Sequence, residues 1–260
     1  MCNKKGEVNE TKKILLIIFV YSTFIFAMSG LELAKKIDNK KKPKDSKSNT
    51  TMILTNKSGK QQSKTIRSIQ KDDNKKQIIW FLSPARDKGV AFLKIEHKNK
   101  DDEMCLWLPA FKKIRRIRSS DKSDNFMGSD MSYEDMTTRD LDEYKYELLR
   151  EETLNDTDLY VLKNIPLPKA ESAYSYIISW INKNNLTIVK EKFFDQNDKL
   201  YKIKTVKYKK IDDYDTPTEF FMEDVQNGHN TKITITNVEL DTEVKDYLFQ
   251  EKNLKRAPRW

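Results

Sequence analysis

The hydrophobic positions form short runs that are rich in β-branched and aromatic residues and separated by polar turns. Runs of this kind, bounded by Pro, Gly, Asp or Asn, are typical of β-strands. We predict strands within residues 50–56, 64–70, 77–82, 90–96, 104–109, 111–118, 144–152, 159–167, 186–194, 199–211, 218–224 and 230–240. The pattern therefore predicts a mainly β protein, with roughly eleven strands in one strongly curved antiparallel sheet and a few helices against it.

Three segments depart from the strand pattern. Residues 31–37 (LELAKKI) have helical spacing, and residues 172–185 place apolar side chains about one helical turn apart. Both are predicted to be helices. Residues 35–50 contain seven lysines and one proline without an apolar period, which predicts a basic flexible segment. No break in composition divides the remaining chain, so we predict a single domain over residues 30–260.

The first 29 residues have the features of an export signal. Lysines precede an apolar run from Ile14 to Met28, which is shorter than the roughly 20 residues of a membrane-spanning helix. Small residues before Gly30 predict cleavage near Ser29, and the alternative is an uncleaved membrane anchor. No cysteine follows the apolar run, so the lipobox of a lipoprotein is absent. We therefore expect a periplasmic protein.

The positive charge is concentrated near the N-terminus. The chain has a formal net charge of +9, and loss of residues 1–29 would remove four lysines and two glutamates, leaving +7. Residues 35–47 carry seven lysines and two aspartates, which account for most of that remainder. Since the rest is nearly balanced and export is predicted, the charge does not indicate a nucleic-acid partner.

Catalytic motifs are missing from the sequence. Six glycines are too few for the phosphate-binding turns of nucleotide enzymes, and no metalloprotease or serine-hydrolase motif is present. The two histidines, His97 and His229, lie in polar turns. Residues 121–130 (DKSDNFMGSD) lack the alternating oxygen ligands and closing glutamate of a calcium loop. We expect no catalysis, metal or cofactor.

The central block, residues 104–136, is dense and unusual. A strand, MCLWLP, runs into the basic FKKIRRIR, and a polar loop follows with Phe126, Met127 and Gly128 in its middle. Apolar side chains in a loop require something to pack against. They either plug one end of the sheet or line and gate an apolar cavity, and the sequence leaves both open. The same loop carries four further candidate residues, which are Asp130, Tyr133, Glu134 and Asp135.

Three arginines stand beside this loop. Arg115, Arg116 and Arg118 precede Asp121 closely enough to form ion pairs that hold the loop shut. The alternative is that they bind the anionic head group of a lipid.

The same block carries a family resemblance. The stretch WLPAFKKIRRIRSSDKSDNFMGSDMSYEDM resembles the signature of the outer-membrane lipoprotein-sorting protein family, with its L-P, K-x-R-R-I, F-M-G-S-D and Y-E-D elements. Matching segments extend over residues 31–254. The resemblance implies a LolA-like domain, an incomplete antiparallel β-barrel around an apolar cavity with helices as a lid. It also implies an inner-membrane exporter of the resistance–nodulation–division (RND) type as a partner.

Strand alternation then predicts which side chains face the cavity. We expect seven residues to line or gate it, namely Trp80, Leu82, Phe92, Leu106, Leu108, Phe126 and Met127. Because these runs are apolar on both faces, the inward set could instead include Ile79, Phe81, Cys105 and Trp107.

These features predict a monomeric, non-enzymatic periplasmic carrier that shields lipid or lipoprotein acyl chains in an apolar cavity. An accessory protein that docks on an envelope transporter and carries nothing is the alternative. An envelope enzyme would need converging carboxylates or a metal, and the sequence supports it least.

Overall fold

The computed structural model describes residues 28–98 and 100–258. These residues form one α-helix, α1 (Gly30–Asp38), and thirteen strands. The strands are β1 (Asp45–Thr55), β2 (Gln61–Lys71), β3 (Lys76–Ser83), β4 (Ala91–Ile95), β5 (Glu103–Leu108), β6 (Lys113–Ile117), β7 (Tyr144–Leu154), β8 (Thr157–Pro166), β9 (Tyr176–Asn182), β10 (Ile188–Phe194), β11 (Leu200–Ile211), β12 (Tyr214–Asp224) and β13 (His229–Leu240). Short 3₁₀ helices cover Pro109–Phe111, Ser119–Asp121, Phe126–Gly128, Glu134–Met136, Leu141–Glu143, Pro168–Ala170, Asp246–Leu248 and Glu251–Lys255.

All thirteen strands belong to one antiparallel sheet in the order β6-β5-β4-β3-β2-β1-β13-β12-β11-β10-β9-β8-β7. The edge strands β6 and β7 do not pair, so the sheet stays open, and the predicted mainly β, incomplete-barrel fold is confirmed. One row of opposed residues runs from β1 to β8 and marks the inner face: Leu54, Thr231, Met222, Lys204, Glu191, Ser179 and Leu162.

Helix α1 lies on this inner face near the β7 edge. Ser29 caps it, because its hydroxyl accepts from the Glu32 amide while the Glu32 carboxylate accepts from the Ser29 amide. The buried Leu33 and Ala34 pack against Leu162 and Ile181 of β8 and β9. The predicted helix is therefore confirmed, and it covers one flank of the concave surface.

The outer face of β2–β5 is covered by the C-terminal segment. Val244, Phe249 and Leu254 pack with a set of outward-facing apolar residues from these strands, which includes Ile78 and Trp80. Burial of this second face explains why the sequence of β3 is apolar at both phases of the strand.

The predicted helix at residues 172–185 is wrong, because the middle of this segment forms a strand. This strand is β9, which pairs with β8 and β10. Ile177 and Ile181 face inward while Trp180 packs on the outer face, so both sides of the segment are buried. A strand that is apolar on both faces has apolar residues at the same spacing as a helix. Pairing with neighbouring strands in the sheet decides between strand and helix.

The predicted flexible segment at residues 35–50 is also wrong in its extent. Its first residues complete α1, and its last six open β1, where Asp45 is buried. The Asp45 carboxylate accepts hydrogen bonds from the backbone amides of Thr242 and Val244, which fastens the start of β1 to the C-terminal segment.

The predicted signal peptide falls almost entirely on residues 1–27, which lie outside the described residues. Within residues 28–98 and 100–258, no helix is long and apolar enough to cross a membrane.

Candidate ligand-binding cavity

A cavity of about 410 Å³ lies on the inner face of the central strands. Side chains from β1, β2, β3, β11, β12 and β13 line it, together with residues 126–137. Along β1 the lining runs from Ser46 to Met52, and a strand of this length spans about 20 Å. This volume falls in the range of roughly 300–1,000 Å³ that small-molecule sites occupy.

One end of the cavity is apolar. Its walls are hydrocarbon and aromatic side chains of the strands, capped by Phe126 and Met131 of the central loop. The strand residues at this end are Met52, Ile66, Ile233, Ile235 and Phe220. A chain of methylene groups placed here would contact mainly apolar atoms, although Asp135, Thr137 and Lys204 also line the cavity.

The other end, beside Pro43, has a polar wall on β1–β3. The inward positions there carry uncharged polar side chains, which are Ser46, Ser48, Ser68, Gln70 and Gln77. The hydroxyls of Ser48 and Ser68 hydrogen-bond each other at 2.9 Å. The cavity is therefore amphipathic along its length.

The central loop closes the apolar end as a plug, which we define as residues 122–139. Phe126 is 1% exposed, and its ring lies 5.2 Å from Phe92, 5.9 Å from Phe81 and 5.7 Å from Tyr133 between centroids. Two of these contacts have the edge-to-face geometry that aromatic pairs favour. The sequence left plug and gate open, and this packing favours the plug.

The tip of the plug requires left-handed backbone. Met127 has φ 52° and Gly128 has φ 78°. The left-handed region costs a residue with a Cβ more than it costs glycine, which accounts for Gly128 in this motif. The strained Met127 is held because its carbonyl accepts a 2.6 Å hydrogen bond from the buried Lys64 ammonium, which also pairs with Asp87.

Buried ion pairs fasten the middle of the plug to the sheet. Lys202 of β11 is 1% exposed and pairs with Asp135 at 3.1 Å. Tyr174 donates to the same carboxylate at 2.9 Å and accepts from Lys202 at 3.1 Å. Burial beside Asp135 raises the pKa of Tyr174 well above its usual value, so the phenol stays protonated. The three groups satisfy one another inside the protein.

A second lysine holds the plug from β4. Lys94 is fully buried and donates to the carbonyl of Met136 at 2.6 Å and to Glu96 at 2.5 Å. Burial lowers the pKa of Lys94, and the Glu96 carboxylate offsets part of that effect. Glu96 also accepts from the amide of Thr138, so one carboxylate ties β4 and the plug together.

Two further polar contacts, made by Asp130 and Glu134, complete the fastening. Asp130 accepts from the Thr231 hydroxyl at 2.6 Å, and Glu134 accepts from the amide of Ala173 at 2.9 Å. Burial raises the pKa of both carboxyl groups. The plug is thus bonded to several strands and forms one wall of the cavity.

The last plug residue, Arg139, joins a charged cluster on β10. Glu191 is 2% exposed and accepts from Arg139 at 2.6 Å, from Lys204 at 3.1 Å and from Ser179 at 3.1 Å. Burial raises the pKa of Glu191, but the two cations outweigh it and hold that pKa far below the usual range. Lys204 also lines the cavity.

This cluster predicts acid sensitivity. A carboxylate with a depressed folded-state pKa stabilises the fold above its unfolded pKa of about 4.3, and that contribution is lost as the pH falls toward the folded value. We expect Glu191→Gln to lower the free energy of unfolding by about 3–5 kcal/mol at pH 7. The gap between wild type and variant should shrink steadily below pH 4.5 in urea titrations. An unchanged gap at pH 3 would contradict the assignment.

The residues that the sequence placed in the cavity do not all lie there. Phe126 lines it, and Phe92, Leu106, Leu108 and Met127 lie in the inner-face core beside the plug.

Trp80 is a correction, because it lies on the outer face, where its indole donates to the carbonyl of Asn253. Leu82 shares that strand phase, so it does not face the cavity either. For β3 the alternative inward pair, Ile79 and Phe81, is the one that faces inward. On β5, Leu106 and Leu108 lie on the inner face and Cys105 and Trp107 face outward, but neither leucine lines the cavity.

The three arginines contribute little to holding the plug. Arg115 pairs with Asp124 at 3.5 Å and Arg116 with Glu251 at 2.7 Å, and both arginines are more than half exposed. Exposed pairs of this kind contribute about 0–1 kcal/mol. Asp121 accepts from the amide of Arg118 in a local turn, and the exposed Arg115–Asp124 pair joins β6 to the plug only weakly.

Sequence reasoning missed the buried charged residues that bond the plug to the sheet. Lys64, Lys94, Lys202 and Glu191 occupy inward phases of their strands. A charged residue at an inward phase was the available signal, because burying a charge requires a partner.

Comparison with known proteins agrees with this geometry. A family model described only as an uncharacterized protein matches residues 73–256. Among curated proteins, none matches the sequence significantly. A domain from Vibrio parahaemolyticus described as an outer membrane lipoprotein-sorting protein is 30% identical, with a TM-score of 0.82 over 87% of this chain and 98% of that chain.

Two further solved structures are similar. A DUF1329 family protein from Desulfovibrio piger is 32% identical, with a TM-score of 0.81 over 86% of this chain and 97% of its own. A LolA superfamily protein from Nitrosomonas europaea is 21% identical, with a TM-score of 0.69 over 87% of this chain and 99% of its own, which shows a shared fold. The chain belongs to the outer-membrane lipoprotein-sorting protein family and has the LolA-like fold.

Proposed function

We propose that this protein is a non-enzymatic periplasmic carrier that shields lipid or lipoprotein acyl chains. The observation that carries the proposal is the 410 Å³ cavity, whose plug end is walled mainly by the apolar side chains of Met52, Ile66, Ile233, Phe126 and Met131. Family membership and the lipoprotein-sorting description of the Vibrio relative support the same function. Side chains leave this space on the inner face of the sheet, which also favours a carrier over an accessory protein that carries nothing.

The physical basis is the transfer of hydrocarbon from water to the inner face. Each methylene group removed from water contributes about 0.8 kcal/mol. Transfer of the chain into a cavity walled by Met52, Ile66 and Ile233 supplies this free energy, and no covalent bond has to form or break. Because the buried plug contacts make the wall rigid, the site is formed before the chain enters, which lowers the ordering cost of binding.

Lipid analysis of the purified protein tests the proposal. Protein isolated from the cell envelope should release acyl lipids on organic extraction, and native mass spectrometry should show the matching mass increment. Lipid-free protein that also fails to take up a fluorescent acyl probe would overturn the carrier function.

Export and partner choice are finer parts of the proposal. We propose that the N-terminal segment directs export, that the carrier is a monomer, and that an RND-type inner-membrane exporter exchanges cargo with it. The sequence signal and the family resemblance support these statements. Cell fractionation, light scattering and in vivo crosslinking to the exporter test them, and a cytoplasmic or uncrosslinked protein would contradict them.

A further inference from the structure

The polar wall of the cavity contains a buried amide without a partner. Gln77 lines the cavity and is 6% exposed, and its Oε1 atom accepts no hydrogen bond from any residue in 28–98 or 100–258. Asn74, in the turn that precedes β3, lines the same end and has a buried Oδ1 atom in the same condition. Since more than about 90% of buried polar groups in proteins are bonded, these oxygens indicate a partner that occupies the cavity.

The neighbouring serines add unused hydrogen-bonding capacity. Ser48 and Ser68 are 8% and 7% exposed and bond each other. A hydroxyl has one donor and two acceptor sites, so this pair keeps a donor and several acceptor sites for another group. An all-hydrocarbon ligand against this wall would leave the Gln77 amide oxygen, and the remaining donor and acceptor sites of Ser48 and Ser68, without water and without partners.

The wall is also uncharged. The inward side chains of β1–β3 at the Pro43 end are serines and glutamines. Lys204 and Asp215 line the cavity from β11 and β12, but they are already paired, Lys204 with the buried Glu191 and Asp215 with Lys40. A neutral polar group therefore suits the wall better than a carboxylate or a phosphate, whose desolvation would need a free cation.

We propose that the cavity selects an amphiphile whose hydrocarbon chain is followed by a hydroxyl-bearing neutral group. The chain lies toward the plug, and the hydroxyl group lies against Gln77, Ser48 and Ser68. A hydroxyl serves either end of the amide, because it donates to the oxygen or accepts from the nitrogen. This inference rests on the proposed carrier function and adds the chemical class and orientation of the ligand.

Two probes of equal chain length test the selection. Monolaurin and methyl laurate both carry a twelve-carbon acyl ester, and only monolaurin carries hydroxyls. Displacement of the reporter N-phenyl-1-naphthylamine from the purified protein gives both dissociation constants. We expect wild type to prefer monolaurin about tenfold, equal to about 1.4 kcal/mol. Gln77→Met should bring that ratio close to one, because the hydroxyls of monolaurin lose their partner on the wall.

Gln61→Met is the matched control, because Gln61 is exposed at the far end of β2 and should keep the wild-type ratio. Ser68→Ala repeats the test at a second wall residue and should also lower the ratio, which covers a Gln77→Met variant that does not fold. Equal affinities in wild type, or a preserved preference in both wall variants, would overturn the selection and leave the carrier function standing. If neither ester displaces the reporter, both proposals fail.

Discussion

Thr50→Trp is expected to remove most lipid binding. Thr50 is 9% exposed and lines the middle of the cavity on β1, between the apolar end and the polar wall. An indole at this position fills the space where the ligand chain would pass, and the cavity can accept its volume without displacing the strands. We expect affinity for an acyl probe to fall by roughly tenfold or more, about 1.4 kcal/mol or greater. Native mass spectrometry and probe titration measure the loss.

The neighbouring residue provides the control. Thr51 is the same residue type on the same strand, but it is exposed and points to the opposite face of the sheet. Thr51→Trp should therefore keep lipid binding at the wild-type level. If Thr50→Trp folds with full lipid occupancy, the cavity on the inner face is not the binding site.

Lys202→Met is expected to destabilise the fold more than any exposed lysine change. It leaves the Asp135 carboxylate buried without its cation, although Tyr174 and the amide of Ser132 still donate to it. Breaking a buried pair by removal of one partner costs about 3–5 kcal/mol. Urea unfolding should show this as a lower midpoint with an unchanged slope.

Lys207→Met on the same strand is the comparison. Its side chain is 74% exposed, and its pair with Glu219 should contribute about 0–1 kcal/mol. A second comparison, Lys202→Met with Asp135→Asn, should recover part of the loss because the buried charge is removed. Equal stabilities of Lys202→Met and Lys207→Met would show that the plug is not held by this pair.

Much of the fold could be read from local patterns. The β1–β2 hairpin around Gly59 and the strands from β3 to β6 lie where alternation and turn residues predicted them. The β9 strand could not be predicted in this way, because its two buried faces produce the spacing of a helix. Its pairing with β8 and β10 is what shows that the segment is a strand. The cavity residues met the same difficulty on β3, where inner and outer faces are both apolar.

The central block, residues 104–136, shows what the sequence determined and what required the tertiary structure. The sequence alone determined the family, the mainly β class and the apolar character of Phe126 and its neighbours, since these depend on residue type and short spacing. Only the tertiary structure decided that this loop is a plug and that buried lysines, rather than the nearby arginines, hold it. It also decided that Gln77 lies on the same wall of the cavity as the serines of β1 and β2. The reason is physical, because burial and partnership of a charged or polar group depend on strands that are far apart in the chain.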